Sequence, residues 1–249
     1  MKSADASDEN RERVDPVAGA QAEPPPHGRS VFAPPDLDPS LSLLEAHFES
    51  ARGRTPDPIR NYHRESPVSD RIRDQAVAAS VLLPIIERSE GLQILLTRRH
   101  HAITYPGQIC FPGGRADATD GSAEATALRE THEEIGLTPS RVRILGRLGI
   151  YHTQSGYRIT PIVGLIRPPF SLSASPHEVD EILEIPLATL TRSSSYRIWR
   201  TAPETDQAFF AMEYGEIRLT GPTVCLAMGF YEALAATHTP PVEPRSSRP

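Results

Sequence analysis

Cysteine is scarce in this chain of 249 residues: Cys110 and Cys225 are the only two. They cannot build a disulfide framework or a four-ligand zinc site. Long hydrophobic runs are missing as well, since no apolar stretch approaches the ~20 residues that a membrane helix needs. The opening MKSADASDENRERVD lacks the apolar core of a secretory signal, and its acids argue against a mitochondrial presequence. Positive charge is in deficit, with 26 Lys+Arg against 32 Asp+Glu and a formal net charge of −6. Such a balance disfavours wrapping nucleic acid or an anionic membrane by charge alone. Together the absences predict a soluble, cytoplasmic chain with no nucleic-acid and no membrane partner. A homodimer is compatible with them.

Apolar residues make up 38% of the chain, below the usual ~45–50% on a count that includes Gly. Proline shows where the shortfall sits: of 25, ten fall before residue 70 and four after residue 239. Residues 1–38 hold 4 basic against 8 acidic side chains, with PPP at 24–26 and PP at 34–35. They carry too little hydrophobicity to offset ordering entropy and are predicted to be a disordered tail. Residues 238–249 read the same way, which leaves one domain over 39–237.

Within that domain Asp38-Pro39-Ser40 looks like a helix start, followed by Leu41, Leu44 and Phe48 at helical spacing. The apolar runs 76–87 and 92–97 flank a turn-like Arg88-Ser89-Glu90-Gly91 and predict a hairpin. Further strands are expected at 142–149, 159–166, 208–213 and 216–219, and a helix over 222–236 with Pro222 near its first position. Strands mixed with a few helices point to an α/β or α+β sandwich.

One stretch carries chemistry: FPGGRADATDGSAEATALRETHEEIGL, residues 111–137. Ser122 and Gly136 bracket a predicted helix as N-cap and C-terminal stop. Leu128, Thr131 and Ile135 would form its core-facing stripe. Glu130, Glu133 and Glu134 recur at i, i+3 and i+4, which gathers three carboxylates. Like charges at that spacing destabilise an isolated helix by ~0.2–0.5 kcal/mol per pair, so a compensating cation is one reading. Hard divalent ions such as Mg²⁺ take oxygen ligands of this kind. An ordinary solvated acidic face, with Arg129 paired to Glu133, is the other. Phe111-Pro112-Gly113-Gly114 favours the first, because glycine lets backbone approach a ligand closely.

Arg129-Glu130-Thr131-His132-Glu133-Glu134-Ile135-Gly136-Leu137 resembles the end of the Nudix box. FPGG, Asp117, Asp120 and Ala127-Leu128-Arg129-Glu130 resemble the coenzyme A diphosphatase-like branch of that family. Gly107 to Gly114, Gly156 to Gly164, and Glu178-Val179 through Leu187 are similar to further segments of the branch.

The resemblance implies a Nudix-type α/β/α sandwich with a mixed β-sheet. It implies a hydrolase that cleaves the diphosphate of a small nucleoside diphosphate substrate, coenzyme A or acyl-CoA first, with Mg²⁺ or Mn²⁺. ADP-ribose, nucleotide sugars and nucleoside triphosphates are the alternative substrates. A non-catalytic Nudix-fold binding module is disfavoured, because all three box glutamates are present. By the same resemblance Glu133 and Glu134 are leading metal ligands, and Glu130 is a third ligand or the general base. Arg129 orients a glutamate, and Gly113 or Gly114 offers a backbone carbonyl. Glu178 or Glu181 would add a later acid. Arg98 and Arg115 would hold phosphate oxygens, and Tyr157 would pack beside the site. His100, His101 and His152 read as surface histidines, and Cys110 as core packing.

Overall fold

The apolar strands are buried in continuous runs, and the alternation of their side chains between two faces decides which helix packs on which face. The computed structural model describes residues 21–23, 34–62, 68–200 and 208–238. The chain runs β1 (Gln21–Glu23), α1 (Leu41–Ser50), α2 (Asp70–Asp74), β2 (Val77–Arg88), β3 (Gly91–Arg99), β4 (Ile109–Cys110), β5 (Gly113–Arg115) and α3 (Ala123–Ile135). It continues through β6 (Val142–Arg147), β7 (Tyr151–His152), β8 (Tyr157–Ile166), β9 (Val179–Pro186), β10 (Tyr196–Arg200), β11 (Ala208–Tyr214), β12 (Ile217–Leu219) and α4 (Gly221–His238).

β2 and β3 form the predicted hairpin, with Ile85 opposite Ile94 and Arg88 opposite Gly91. β8 runs parallel along the other edge of β2, from Val77–Tyr157 to Ile86–Ile166. β6 and β7 pair antiparallel with β8, and β9 pairs antiparallel with β3. The sheet is therefore mixed. With β8 filling one edge of β2 and β9 one edge of β3, the remaining two edges face each other. They part beyond the hairpin: β4 takes Thr97 and Arg98 of β3, while β5 takes Ala79 to Val81 of β2. Residues 109–115 thus form a wedge between two strands, and the wedge holds the glycine turn.

Side chains on a strand alternate faces. Leu82 and Ile86, Leu95, and Ile162 and Ile166 pack with Ala127 and Ile135 of α3. Leu83 and Ile85, Ile94 and Leu96, and Val163 and Leu165 join Val224, Phe230, Tyr231 and Leu234 of α4. A sheet buried on both faces between α3 and α4 is the expected α/β/α sandwich. α4 also meets α1 through Leu44 and Phe48, and the small antiparallel sheet β1–β10–β11–β12 through Tyr196, Met212 and Leu219. Neighbours on so many sides explain why 222–236 is apolar nearly all round. Among the described residues no helix is long and apolar enough to cross a membrane.

The tail boundary expected at residue 38 is too late. Leu37 is 5% exposed. Its N–H donates to the Thr191 carbonyl at 3.0 Å, and the Thr191 hydroxyl donates back to its carbonyl at 2.9 Å. Asp36 accepts from both the N–H and the hydroxyl of Ser193 at 2.8 Å, and the Tyr231 hydroxyl donates to the Pro34 carbonyl at 2.9 Å. Gln21–Glu23 pair with β10. Composition hid this strap, because one buried leucine and a few local hydrogen bonds outweigh the ordering of a short segment. Residues 1–20 and 24–33 of the expected tail lie outside the described residues. So do 239–249 of the C-terminal one, whose first residue, His238, closes α4.

Candidate active site

α3 starts and stops where its sequence predicts. Ser122 Oγ accepts from the Ala125 N–H at 3.1 Å, and Gly136 ends the helix at φ 69°. Its buried stripe differs from the expected one: Thr126, Ala127, Thr131, Glu134 and Ile135 are buried, whereas Leu128 is only half-buried. Thr131 tolerates this position because its hydroxyl donates to the Ala127 carbonyl at 2.6 Å.

The three glutamates therefore sit in three different environments. Glu133 is exposed, the Glu130 side chain keeps 20% of its surface, and Glu134 keeps 7% overall. The wedge explains the inward turn of Glu134, whose carboxylate accepts from the Gly113 N–H at 3.2 Å. Gly113 has φ 145°, and a side chain there would strike the Ser80 carbonyl and the Val81 backbone. A Cβ on Gly114 would strike the Glu130 carboxylate, with its Cδ 2.6 Å away. The two glycines thus press backbone against two carboxylates, a closeness that only a missing side chain permits.

Arg129 organises the outer part of the face. Its Nε and Nη2 donate to the two Asp120 oxygens at 3.0 and 2.9 Å, Nη1 to Glu133 at 2.9 Å, and Nη2 to the Arg115 carbonyl at 3.1 Å. Glu130 lies 2.9 Å from the same Nη2. Such a fork is the strong form of carboxylate hydrogen bond. Asp120 also accepts from the Asp117 N–H and the Thr126 hydroxyl, both at 2.9 Å. The Arg129 hydrogen bond is the largest cause that holds the Asp120 carboxyl well below its usual range. Asp120 is thus the fixed post from which Arg129 orients Glu130 and Glu133.

Burial dominates at the inner carboxylates. It pushes Glu134 from 4.5 up to about 8, against the Gly113 hydrogen bond and the charge of Arg99, which favour the ionised form. Glu178 and Glu130 raise it further by repulsion. Glu130 is also raised, first by burial and then partly restored by Arg129. Carboxylates here outnumber guanidiniums, and Arg129 is already shared among three of them. An all-oxygen donor set with unbalanced negative charge suits a hard divalent cation such as Mg²⁺ or Mn²⁺.

Glu178, exposed just before β9, is near enough to act on both Glu130 and Glu134. Arg98 is not brought to the carboxylates: its Nε donates to Glu181 at 2.9 Å across the β3–β9 ladder. Strand alternation gives the face of Leu95 to Arg99 instead, and Arg99 is the arginine whose charge reaches Glu134. Sequence reasoning missed this residue, although phasing β3 from Leu95 would have found it. Arg115 contributes its carbonyl while its exposed side chain lies in solvent. Tyr157 stands 41% exposed at the start of β8, its N–H held by the Thr153 hydroxyl at 2.9 Å. Among the described residues no hydrogen bond or ion pair ties the Tyr157 side chain to the carboxylates. The Cys110 sulfur lies 3.4 Å from the Thr97 hydroxyl, and burial pushes its thiol up, in keeping with a packing role.

A family model of the NUDIX domain matches residues 76–204. Nudix hydrolase NudL of Photorhabdus laumondii is 44% identical over 131 residues, covering 52% of this chain and 70% of the relative. Nudix hydrolase NudL of Escherichia coli K12 is 39% identical over 133 residues, covering 49% of this chain and 69% of the relative. A MutT/nudix family protein from Enterococcus faecalis has a TM-score of 0.44 at 14% identity, over 80% of this chain and 76% of that one. The matched span encloses the wedge, the α3 carboxylates and Glu178, and it takes in half of the sequence. The chain belongs to the Nudix hydrolase family, and it is an enzyme that hydrolyses phosphorus-containing anhydrides.

Proposed function

We propose that this enzyme hydrolyses the diphosphate bond of coenzyme A or acyl-CoA. Water adds across one P–O–P linkage and gives 3′,5′-ADP and (acyl-)4′-phosphopantetheine. The observation that carries the chemistry is the pair of inner carboxylates, Glu130 and Glu134, raised by burial and pressed against Gly114 and Gly113. The substrate rests on the FPGG, Asp117, Asp120 and ALRE pattern, to which the geometry adds a use for Asp120 as the anchor of Arg129.

Mg²⁺ or Mn²⁺ suits Glu130, Glu133, Glu134 and Glu178, and when bound it would neutralise phosphate charge and acidify a water. Arg129 holds Glu130 and Glu133 in place through its fork to Asp120. The Gly113 N–H orients one Glu134 oxygen. Glu130, half-shielded and raised by burial, serves either as a third ligand or as the carboxylate that takes a proton from the attacking water. Arg99 and the solvent-facing Arg115 are the cations available to diphosphate oxygens, and Tyr157 lies outside this set.

The test is a panel of coenzyme A, acyl-CoAs, NADH, ADP-ribose and nucleotide sugars with Mg²⁺ and with Mn²⁺, products weighed by mass spectrometry. Release of 3′,5′-ADP from coenzyme A supports the reading. Turnover confined to ADP-ribose or nucleotide sugars overturns the substrate and leaves the hydrolase. Absence of turnover on every member with either ion would count against catalysis itself.

A further inference from the structure

We propose that His100, His101 and Asp180 form a second divalent-metal site, separate from the α3 carboxylates and of the zinc class. The three side chains place ligand atoms within 4.8 Å of one another. His100 Nε2 lies 3.6 Å from Asp180 Oδ1, and His101 Nδ1 lies 3.4 Å from the same oxygen. Tetrahedral zinc, with Zn–N and Zn–O of about 2.0–2.2 Å, sets neighbouring ligand atoms about 3.3–3.5 Å apart. Two edges of that tetrahedron already stand near their final length.

The backbone builds this cluster. Opposite Arg98 and Arg99 the β9 register passes from Glu181 to Val179, so Asp180 is the extra residue of a bulge. Bulges re-aim a side chain, and this one sends Asp180 to the turn after β3, where its Oδ2 accepts the His101 N–H at 3.1 Å. The two imidazole rings sit 4.0 Å apart between centroids at 33°. Two nitrogens and one oxygen favour zinc and its borderline neighbours over Mg²⁺, which selects all-oxygen sets. Three protein ligands leave one position for water, the mark of an exchangeable rather than a closed structural site.

One contact must yield. His100 Nδ1 accepts the Ala102 N–H at 3.1 Å, whereas coordination through Nε2 places the ring proton on Nδ1. Ala102 is exposed, so its N–H turns to water, at a cost small against metal coordination. Metal binding therefore resets the turn at 100–103. It also braces the later acid, because the His100 N–H holds the Glu178 carbonyl at 2.9 Å. None of this depends on which diphosphate the enzyme cleaves.

The test titrates the chelator-treated full chain with zinc chloride by calorimetry in excess Mg²⁺, and repeats it with Co²⁺ to read tetrahedral absorption. One tight equivalent that survives Mg²⁺ is expected, with a zinc-dependent shift of the Ala102 amide resonance. His101→Ala and Asp180→Asn should each weaken it by about 100-fold or more, beyond what losing a hydrogen-bond partner of a ligand typically costs. Glu133→Gln and Cys110→Ser should keep it, and thermal melting of the chelated variants checks that each is folded. The proposal is overturned if the parent shows no tight equivalent, if the His101 and Asp180 variants bind zinc like the parent, or if Glu133→Gln abolishes it.

Discussion

Glu134→Gln should make the metal-free protein more stable at alkaline pH while nearly abolishing its activity. The Glu134 carboxyl lies at 4.5 in the open chain, and burial moves it to about 8 in the fold. Between these values the native state holds a proton that the unfolded chain has released. Stability therefore falls as pH rises through that window and levels off above it. At about 1.36 kcal/mol for each pH unit, the fall sums to about 5 kcal/mol. Glutamine keeps the size and can still accept from the Gly113 N–H, but it never ionises. Allowing about 1–3 kcal/mol for its buried amide donors, the variant should gain about 2–4 kcal/mol over the parent above pH 8. Below pH 4.5 that advantage should vanish, because the parent carboxyl is then neutral in both states. Urea unfolding of both proteins in a chelator, from pH 4 to 9, reads the difference and cancels the shared groups that do not interact with Glu134. Turnover with saturating Mg²⁺ should fall at least ~100-fold, or ~2.7 kcal/mol. Parallel stability curves for parent and variant across this range would refute the burial argument. Undiminished turnover would refute the placement of Glu134 in the site.

Glu133→Gln should lower kcat at least ~100-fold with little change in melting temperature, whereas Glu124→Gln, at the start of α3 and outside the triad, should alter kcat less than twofold, or by under ~0.4 kcal/mol; equal steady-state rates for all three proteins would mean a merely solvated helix face. Gly114→Ala should impair turnover more than folding, because its Cβ lands on the Glu130 carboxylate, and a parent-like kcat would show that the close approach is dispensable. Leu37→Ala should destabilise the domain by about 2–5 kcal/mol in urea unfolding, and a neutral result would mean the strap does not dock in solution.

Local signals were the legible ones. Ser122 and Gly136 announced the ends of α3, and the polar turn at Ser89–Glu90 announced the β2–β3 hairpin, because caps and turns are settled within a few residues. The triad was visible as spacing, but spacing alone gave Glu130, Glu133 and Glu134 one common environment. Their separation into exposed, half-shielded and buried groups comes from the wedge, which lies some twenty residues earlier in the chain. Arg98 and Arg99 show the same limit: adjacent in sequence, they are sent to opposite faces by the pleat, and only the phase set by Leu95 distinguishes them. The strap at residues 34–37 escaped for the opposite reason. Averages over a proline-rich tail conceal one leucine that finds a pocket.

The parting of β2 and β3 also divides the labour of the protein. The excursion from Arg99 to Ile109 leaves the sheet and returns to the edge it left. It is pinned at its base where Arg99 donates to the Gln108 carbonyl and receives the Gly107 N–H on its own, both at 3.0 Å. Within the loop the Thr104 carbonyl accepts from the Arg99 Nε at 3.0 Å and the His100 N–H reaches the Glu178 carbonyl at 2.9 Å, so these residues are bound to the site while Ala102, Tyr105 and Pro106 stand exposed. Changes confined to those exposed residues can therefore accumulate without moving β4, β5 or the carboxylates of α3.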